Sequence, residues 1–218
     1  MVDHVDVAKL KLLSFDVFGT LVSVRDSSYA AFERILASAN ATHVDVKAFW
    51  ETWEESNIKS YWAPYLPYKQ ICRASLASTF EAFCINGRPE TIDYYFDAFS
   101  QFCLYPDVVK TLDLLSNRYK LAIVSNIDDD LLATTPLKRT FDLVCTAERA
   151  KGYKPDGTLF RYLLANAGVE RDEILHSGQS QFTDMIGAKP LGLTVAWINR
   201  RGARRYRAPI SSTRTSSR

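Results

Sequence analysis

Short apolar runs that end in small or polar residues alternate with helical repeats over the second half of the chain. We predict strands at residues 10–15, 120–124, 141–145, 174–177 and 193–198, and helices at residues 106–117, 155–167 and 182–188. Strands that alternate with helices are typical of a parallel sheet covered on both faces. The pattern therefore predicts an α/β fold with a Rossmann-like parallel sheet as its core.

The segment between the first two predicted strands, about residues 25–102, has helical periodicity and almost no strand signal. Several of its apolar side chains recur at three- and four-residue spacing and so share one stripe of a helix: Tyr29, Phe32, Ile35 and Leu36. We therefore predict an α/β core formed by residues 1–21 and 104–200. Residues 22–103 are predicted to form an inserted helical cap, or lid.

Composition excludes several classes of protein. Hydrophobic residues make up 47% and charged residues 24% of the 218 residues, as is usual for a soluble globular domain. No apolar run approaches the roughly 20 residues that span a bilayer, and the N-terminus lacks the pattern of a signal peptide. We expect a soluble, cytoplasmic protein without a membrane partner.

Charge is unevenly distributed along the chain. The last nineteen residues contain seven arginines and no acidic residue, so the remainder carries 20 basic and 25 acidic side chains. An acidic body is unlike a nucleic-acid-binding domain, and we expect no nucleic-acid partner. Residues 201–218 are predicted to form a disordered basic tail.

Metal-binding and redox motifs are not indicated. There are only three histidines, and the cysteines are spaced too widely for a zinc knuckle or a redox pair. We therefore expect no metal site, and we predict buried free thiols at four positions. These are Cys72, Cys84, Cys103 and Cys145.

Polar side chains follow the predicted strands. Asp16 comes after the first strand, and Ser125 and Asn126 come after the second. Lys154 precedes a predicted helix, and Asp184 lies shortly beyond the fourth strand. Because ligands of open parallel sheets bind beyond the carboxyl ends of the strands, we expect these side chains to form one site.

Segments around these residues resemble motifs of the haloacid dehalogenase superfamily, in that family's order. They lie at residues 15–21, 124–126, 153–156 and 184–188. Residues 196–200, with the sequence AWINR, look specifically like the (S)-2-haloacid dehalogenase (type II) branch. The resemblance covers about residues 11–200. It implies a hydrolase of a small-molecule substrate, in which an aspartate forms a covalent ester that water then hydrolyses.

The resemblance implies catalytic roles for individual residues. Asp16 would be the nucleophile, and Lys154 would keep it ionised by lowering its pKa. Ser125 and Asn126 would donate hydrogen bonds to an anionic ligand group or to the ester oxygen. Asp184 would position or activate the water that breaks the ester.

Two departures from the superfamily's phosphatases disfavour a phosphatase. Phe18 stands where those enzymes have an aspartate that protonates the leaving alcohol, and phenylalanine cannot transfer a proton. Gln179 replaces a carboxylate that helps to hold magnesium, and a neutral amide brings no charge to a divalent cation. Carbon–halogen cleavage needs neither group, and Phe18 keeps the ring of the tyrosine that is usual in dehalogenases. We therefore expect catalysis without a metal or other cofactor.

Further departures concern the substrate. Glu51, next to Trp50, stands where the dehalogenases have an arginine that binds the substrate carboxylate. A tyrosine and an asparagine of the family site are also replaced here. The substrate-binding residues that we predict are Phe18, Thr20, Asn126, Glu51, Phe160 and Gln181. The substrate is expected to be larger or less anionic than a simple 2-haloacid.

Aromatic residues crowd into nineteen positions of the predicted cap: Trp50, Trp53, Tyr61, Trp62, Tyr65 and Tyr68. They would line an apolar pocket, pack the cap's own core, or form the interface of a homodimer. Three other functions stay open at this point. One is a non-hydrolytic cyclase or isomerase of an apolar metabolite, the second is a binding protein without turnover, and the third is a phosphatase.

Overall fold

The computed structural model of the chain describes residues 5–202. The strands in this range are β1 (Leu12–Phe15), β2 (Val22–Ser23), β3 (Cys103–Leu104), β4 (Lys120–Ser125), β5 (Leu143–Thr146), β6 (Ile174–Gly178) and β7 (Thr194–Trp197). The α-helices are α1 (Arg25–Ser38), α2 (Val46–Ser60), α3 (Tyr68–Ala82), α4 (Asp93–Asp97), α5 (Val108–Ser116), α6 (Asp129–Thr134), α7 (Ala147–Ala150), α8 (Thr158–Asn166) and α9 (Ile186–Ala188). Short 3₁₀ turns lie at Pro89–Ile92, Ala98–Gln101, Arg171–Glu173 and Lys189–Leu191, and Gln181–Met185 is wound as a π-helix.

The core is a five-stranded parallel sheet in the order β5-β4-β1-β6-β7. Successive residues of the central strand β1 are buried on opposite faces. Leu13 packs on the side of helix α5, and Leu12 packs on the side of helix α8. Burial of both faces is what an all-parallel sheet requires, since the crossover helices cover it on each side. The predicted α/β fold is confirmed.

Local details of the core differ from the prediction. Helix α8 begins at Thr158, three residues later than predicted, because a turn precedes it. Gly157 has φ +86°, and the Asp156 carboxylate accepts a hydrogen bond of 2.7 Å from the Thr158 N–H. The helix predicted at residues 106–117 is shorter, with α5 spanning Val108–Ser116, and within it Val108 is buried whereas Val109 is 57% exposed.

The four thiols do not share one environment. Cys72 and Cys145 are buried and free, as predicted. Cys84 and Cys103 are exposed, so the prediction is wrong for them. Cys84 lies in the turn that follows α3, with φ +55°, and Cys103 lies in the two-residue strand β3.

The described part of the chain ends within the predicted basic tail. Arg201 and Gly202 are exposed, and the rest of the predicted basic tail lies outside the described residues. Within residues 5–202, no helix combines the length and the apolar character that crossing a membrane requires.

The chain leaves and re-enters the core through an antiparallel ribbon. Val22 of β2 pairs with Leu104 of β3, and Ser23 pairs with Cys103. Strands of two residues are too short to show a periodic pattern, and the sequence did not predict them. Helices α1 to α4 lie between the two strands of this ribbon. The division into core and cap at residues 22 and 103 stays our interpretation of the domain structure.

Aromatic rings join the inserted helices to one another and to the core. Phe32 packs against Trp53 and Tyr95, with ring centroids 4.9 and 5.7 Å apart. Phe18, in the turn after β1, packs edge-on against Phe99, at 5.4 Å. Buried residues of the insertion and of one face of the sheet belong to a single apolar cluster. The cap is therefore fixed on the core by a shared hydrophobic interior.

Asp128 adds a polar connection between the core and the cap. It lies just before α6, is buried, and accepts hydrogen bonds from the backbone N–H groups of Tyr68 (2.9 Å) and Lys69 (3.1 Å). Amides in the first turn of a helix have no partner within the helix. The residue before α3 is Pro67, whose side chain cannot accept such a bond. Asp128 therefore caps α3 from the core.

Replacement of Asp128 with alanine is expected to lower the free energy of unfolding by about 1–3 kcal/mol, because two amides at a buried contact lose their acceptor. Asp128→Asn keeps one acceptor oxygen and is expected to lose less. Urea unfolding followed by circular dichroism measures both effects. Asp130→Ala is the matched control, since Asp130 pairs with Lys69 at the surface and should contribute below about 1 kcal/mol. Equal losses in the Asp128 and Asp130 alanine variants would contradict the capping role.

Candidate active site

Three neighbouring strands of the sheet end at one edge beneath the cap. Asp16 follows β1, Ser125 ends β4, and Gln179 and Ser180 follow β6. All four residues line a cavity of about 140 Å³ between this edge and the inserted helices. Asn126 and Lys154 line it as well. The structure thus brings together most of the residues that the strand ends indicated.

A tight turn after β1 positions the Asp16 carboxylate. The Gly19 N–H donates to the Val22 carbonyl oxygen, at 2.7 Å, and Gly19 has φ +81°, a left-handed conformation that favours glycine. The turn brings the Thr20 hydroxyl to 2.6 Å from Oδ2 of Asp16, to which it donates. The same hydroxyl accepts a bond of 3.0 Å from the Gln179 N–H. Thr20 therefore holds one oxygen of Asp16 in place.

Lys154 holds the other oxygen of Asp16. Its ammonium group is almost completely buried and donates to Oδ1 of Asp16 (2.8 Å), Oδ1 of Asp184 (2.7 Å) and the Val124 carbonyl oxygen (3.0 Å). The side chain of Asn126 fixes the lysine backbone, because its Oδ1 accepts from the Lys154 N–H and its Nδ2 donates to the Lys154 oxygen. Both polar atoms of that amide are engaged in this way. A contact of Asn126 with substrate stays a prediction.

Asp184 lies beneath the cavity and is fully buried. Its Oδ1 lies 3.3 Å from Nε2 of His176, and its Oδ2 accepts a bond of 3.0 Å from the Ser180 N–H. A Cβ atom at Gly178 would overlap the Asp184 carboxylate, so only glycine fits there. These contacts place Asp184 as the group that holds Lys154. Activation of water by Asp184 stays a prediction.

His176 was missed by the sequence analysis. It lies in β6, is fully buried, and has Nδ1 3.0 Å from the Ser14 hydroxyl. The ring of Phe160 packs edge-on against it, with centroids 4.8 Å apart. Phe160 is therefore beneath the sheet and does not line the cavity, which corrects its prediction as a substrate-binding residue. The available signal was a histidine directly after two apolar residues, Ile174 and Leu175, of a predicted strand.

Burial and charge act differently on the pKa values of Asp16, Asp184 and Lys154. Burial raises the pKa of Asp16; Lys154 opposes this and the negative charge of Asp184 adds to it, so that the net shift is upward. Lys154 therefore lowers the pKa of Asp16 as expected, but burial has the larger effect. Despite burial, Lys154 and His176 hold the pKa of Asp184 below its usual range. The two carboxylates outweigh the desolvation of Lys154 and raise its pKa.

The cap forms the opposite wall of the cavity with aromatic rings. The lining residues from the cap with aromatic side chains are Trp50, Trp53, Tyr61, Tyr68 and Tyr95. The same five side chains are buried and belong to the shared apolar cluster. Of the other two predicted aromatic residues, Trp62 is 54% exposed and Tyr65 packs on Tyr153, with centroids 5.8 Å apart. The cap aromatics thus serve both as a core and as a pocket wall.

Glu51 does not face the cavity, which corrects our prediction. It is exposed, and its carboxylate lies 4.0 Å from the Lys47 ammonium on the outer surface of α2. Glu54 lines the cavity instead. Glu54 comes four residues after Trp50 and lies on the same face of α2 as Trp50. Glu51 directly follows Trp50 and is therefore rotated from it by about 100° around the helix axis. Gln181, which begins the π-helix, is likewise not a lining residue.

Two polar groups in the cavity wall have no hydrogen-bond partner in the described part of the chain. They are the hydroxyl of Ser125 and the indole N–H of Trp50, both buried. By contrast, the indole N–H of Trp53 donates to the Cys72 carbonyl oxygen, at 3.1 Å. An unpaired buried donor is costly, so a ligand that supplies an acceptor would gain from either group.

The residues at this site do not suit a divalent cation. The ammonium of Lys154 already bridges the carboxylates of Asp16 and Asp184 and would repel a second cation. Phe18 has no ligating atom in its side chain, and the amide of Gln179 packs against Gly19. Across residues 5–202, no three His, Cys, Asp or Glu side chains are grouped so that they could hold a metal. We derive no step through a metal ion.

Comparisons with known proteins agree with this architecture. The family model described as haloacid dehalogenase-like hydrolase matches residues 13–198. The chain is 26% identical over 206 residues to (S)-2-haloacid dehalogenase 4A of Burkholderia cepacia. The aligned region covers 90% of this chain and 86% of that protein.

Two solved structures extend the comparison. An L-2-haloacid dehalogenase from Xanthobacter autotrophicus with chloropropionic acid covalently bound has a TM-score of 0.72 and 25% identity, over 88% of this chain and 78% of that one. The putative HAD-hydrolase YfnB from Bacillus subtilis, bound to magnesium, has a TM-score of 0.79 but 16% identity, over 89% of this chain and 91% of that one, and shows the fold alone. The match over most of the length, together with the site at the carboxyl edge of the sheet, confirms the predicted resemblance: this chain belongs to the family of haloacid dehalogenase-like hydrolases.

Proposed function

We propose that this protein hydrolyses a carbon–halogen or related bond without a metal, through a covalent ester on Asp16. The observation that carries the proposal is the Asp16 carboxylate, which lines the cavity while Thr20 and Lys154 hold its two oxygens. Phe18, also in the cavity wall, offers no proton for an alcohol leaving group. The relatives named as 2-haloacid dehalogenases support the same chemistry, and one of them carries chloropropionic acid covalently bound.

In the first step, an oxygen of ionised Asp16 attacks the substrate carbon opposite the leaving group. The carbon–oxygen bond forms, the carbon–halogen bond breaks, and the halide leaves with the electron pair. Inversion at that carbon is expected. Lys154 stays protonated because its pKa is raised, and it balances charge next to the carboxyl group throughout. A halide needs no proton, so Phe18 is no handicap.

In the second step, water attacks the carbonyl carbon of the Asp16 ester. The bond from that carbon to the substrate oxygen breaks, the alcohol leaves, and one proton passes to solvent as the carboxylate re-forms. We assign the unpaired hydroxyl of Ser125 to donate to the oxygen that becomes negative in this step. Asp184 keeps Lys154 in place and, in this proposal, helps to position the water.

Halide release tests the reaction class. We expect chloride release from at least one compound in a set of anionic, neutral and cationic 2-chloroalkyl compounds, unchanged by a chelator. 2-Glycerophosphate with magnesium is expected to yield no phosphate, because its alcohol leaving group needs a proton that Phe18 cannot supply. Magnesium-dependent phosphate release without any chloride release would replace this proposal with a phosphatase.

The acid limb of the pH profile follows from Asp16. The group attacks only when ionised, and its pKa is raised, so kcat/KM is expected to fall as the pH drops through a midpoint above about 3.9, the usual value for aspartate. Thr20→Val removes a hydrogen bond that lowers this pKa and should move the midpoint upward. A pH profile of chloride release measures both. A midpoint below the usual value, or a downward shift in Thr20→Val, would contradict the assignment.

A further inference from the structure

The cap end of the cavity carries a carboxyl group that the reaction at Asp16 does not use. Glu54 lies on α2, is half-buried, and lines the cavity. It forms no ion pair with any of the described residues. Burial raises the pKa of Glu54, and Arg201 and Arg25 counteract this at longer range. A carboxylate in such a position is stabilised by a cation that approaches it from the cavity.

Charges around the cavity also favour a cation. Lys154 is shared between the carboxylates of Asp16 and Asp184, which leaves that group with one excess negative charge. At the other end, Arg201, which is exposed, and Arg25, which does not line the cavity, act on Glu54 without forming an ion pair with it. The carboxylates of Asp16 and Glu54 therefore face the cavity, whereas its two lining cations are bound to carboxylates (Lys154) or exposed (Arg201). Among the described lining residues, no buried cation remains free to bind a substrate carboxylate.

Five aromatic rings of the cap line the cavity, together with Val24, Asn57 and Ile58. Trp50 and Trp53 lie on the same helix as Glu54, and Tyr61 and Tyr95 lie beside them in the cavity lining. Their positions are fixed by ring contacts, including those of Trp53 with Tyr95 at 5.0 Å and of Trp50 with Tyr29 at 5.4 Å. Aromatic faces near a carboxylate are the usual means of binding an organic ammonium group.

We propose that the substrate is an organic ammonium compound. Its reacting carbon lies at Asp16, and its cationic end is bound by Glu54 and the aromatic rings of the cap. The assignment of the reacting end rests on the proposed function, whereas the binding of the cationic end does not. Glu54 thus determines specificity from the place in the cavity where the sequence suggested Glu51.

Binding of unreactive compounds of one shape tests this proposal in the full chain. Choline, its neutral isostere 3,3-dimethylbutan-1-ol and the anion 3,3-dimethylbutanoate would be titrated by calorimetry. Choline is expected to bind about 10-fold or more tightly than the neutral isostere, and the anion most weakly. Glu54→Gln should remove most of the choline preference and leave the neutral isostere unaffected. Glu51→Gln, on the outer surface of the same helix, is the matched control and should change nothing.

The outcomes separate this proposal from the proposed reaction. If choline is preferred but 2-chloroethyltrimethylammonium yields no chloride, the ammonium site stands and the carbon–halogen chemistry fails. If chloride is released from 2-chloropropionate with equal rates in wild type and Glu54→Gln, the chemistry stands and the ammonium site fails. An equal affinity for choline and its neutral isostere in the wild-type protein also overturns the ammonium site, whatever the variants do.

Discussion

Replacement of Asp16 with asparagine is expected to abolish chloride release, with kcat reduced on the order of 10⁴-fold or more. The amide has the size of the carboxylate but is a far weaker nucleophile and carries no charge for Lys154 to hold. The variant should still fold, because Lys154 keeps Asp184 as its ion-pair partner at 2.7 Å. Chloride release at saturating substrate gives the rate, and circular dichroism reports the fold.

Isotope transfer makes the test of Asp16 specific. In a single turnover in ¹⁸O-labelled water, one oxygen of the Asp16 carboxylate should come from solvent, and mass spectrometry of the peptide that contains it would show the added mass. Asp113→Asn serves as control, since Asp113 is exposed and pairs with Arg139 at the surface. Conversion of substrate while no label enters that peptide would refute the covalent mechanism.

Replacement of Lys154 with methionine is expected to lower the free energy of unfolding by about 3–5 kcal/mol, because it leaves two buried carboxylates without their cation. The pKa of Asp16 should rise further, since Lys154 is the largest influence that opposes burial. The acid limb of the activity profile should therefore move to higher pH than in the wild-type protein. Chemical unfolding and the pH dependence of chloride release measure the two effects.

A double variant shows whether charge causes this loss. Lys154→Met combined with Asp184→Asn removes one of the two unpaired buried charges that the lysine leaves behind, so this double variant should be more stable than Lys154→Met alone. Lys110→Met, at an exposed lysine of α5, should be close to neutral. If the double variant is no more stable than the single one, the lysine contributes through packing and not through its charge.

The core of the site could be predicted because strand ends place it. Asp16, Ser125 and Lys154 all lie at segments whose order and spacing the family shares, and the parallel sheet brings them to one edge. The same approach did not predict the places of His176 and Phe160, which are buried against each other outside the cavity. The order of residues along the chain does not distinguish a side chain packed behind the site from one that lines it.

The cap was harder to predict for a different reason. In the cap no strand ends indicate which residues face the cavity. An alignment error of three residues in α2 therefore confuses Glu51, a surface carboxylate, with Glu54, a carboxylate that lines the cavity. The ribbon of β2 and β3 was not predicted because each of its strands is only two residues long. Helical periodicity indicates which residues form a stripe, but not which neighbour that stripe will meet.

The ribbon of β2 and β3 also bears on how this protein could change over evolution. The ribbon places the first and last residues of the inserted segment, about eighty residues long, next to each other. The segment could therefore be replaced by another without a change in the strand order of the sheet. Such a replacement would keep Asp16 and Lys154, which lie in the core, and would change the aromatic wall of the pocket, which lies in the inserted segment. The ring contact between Phe18 and Phe99 sets the limit on such exchanges, because any incoming segment must present an apolar surface to the turn that carries the nucleophile.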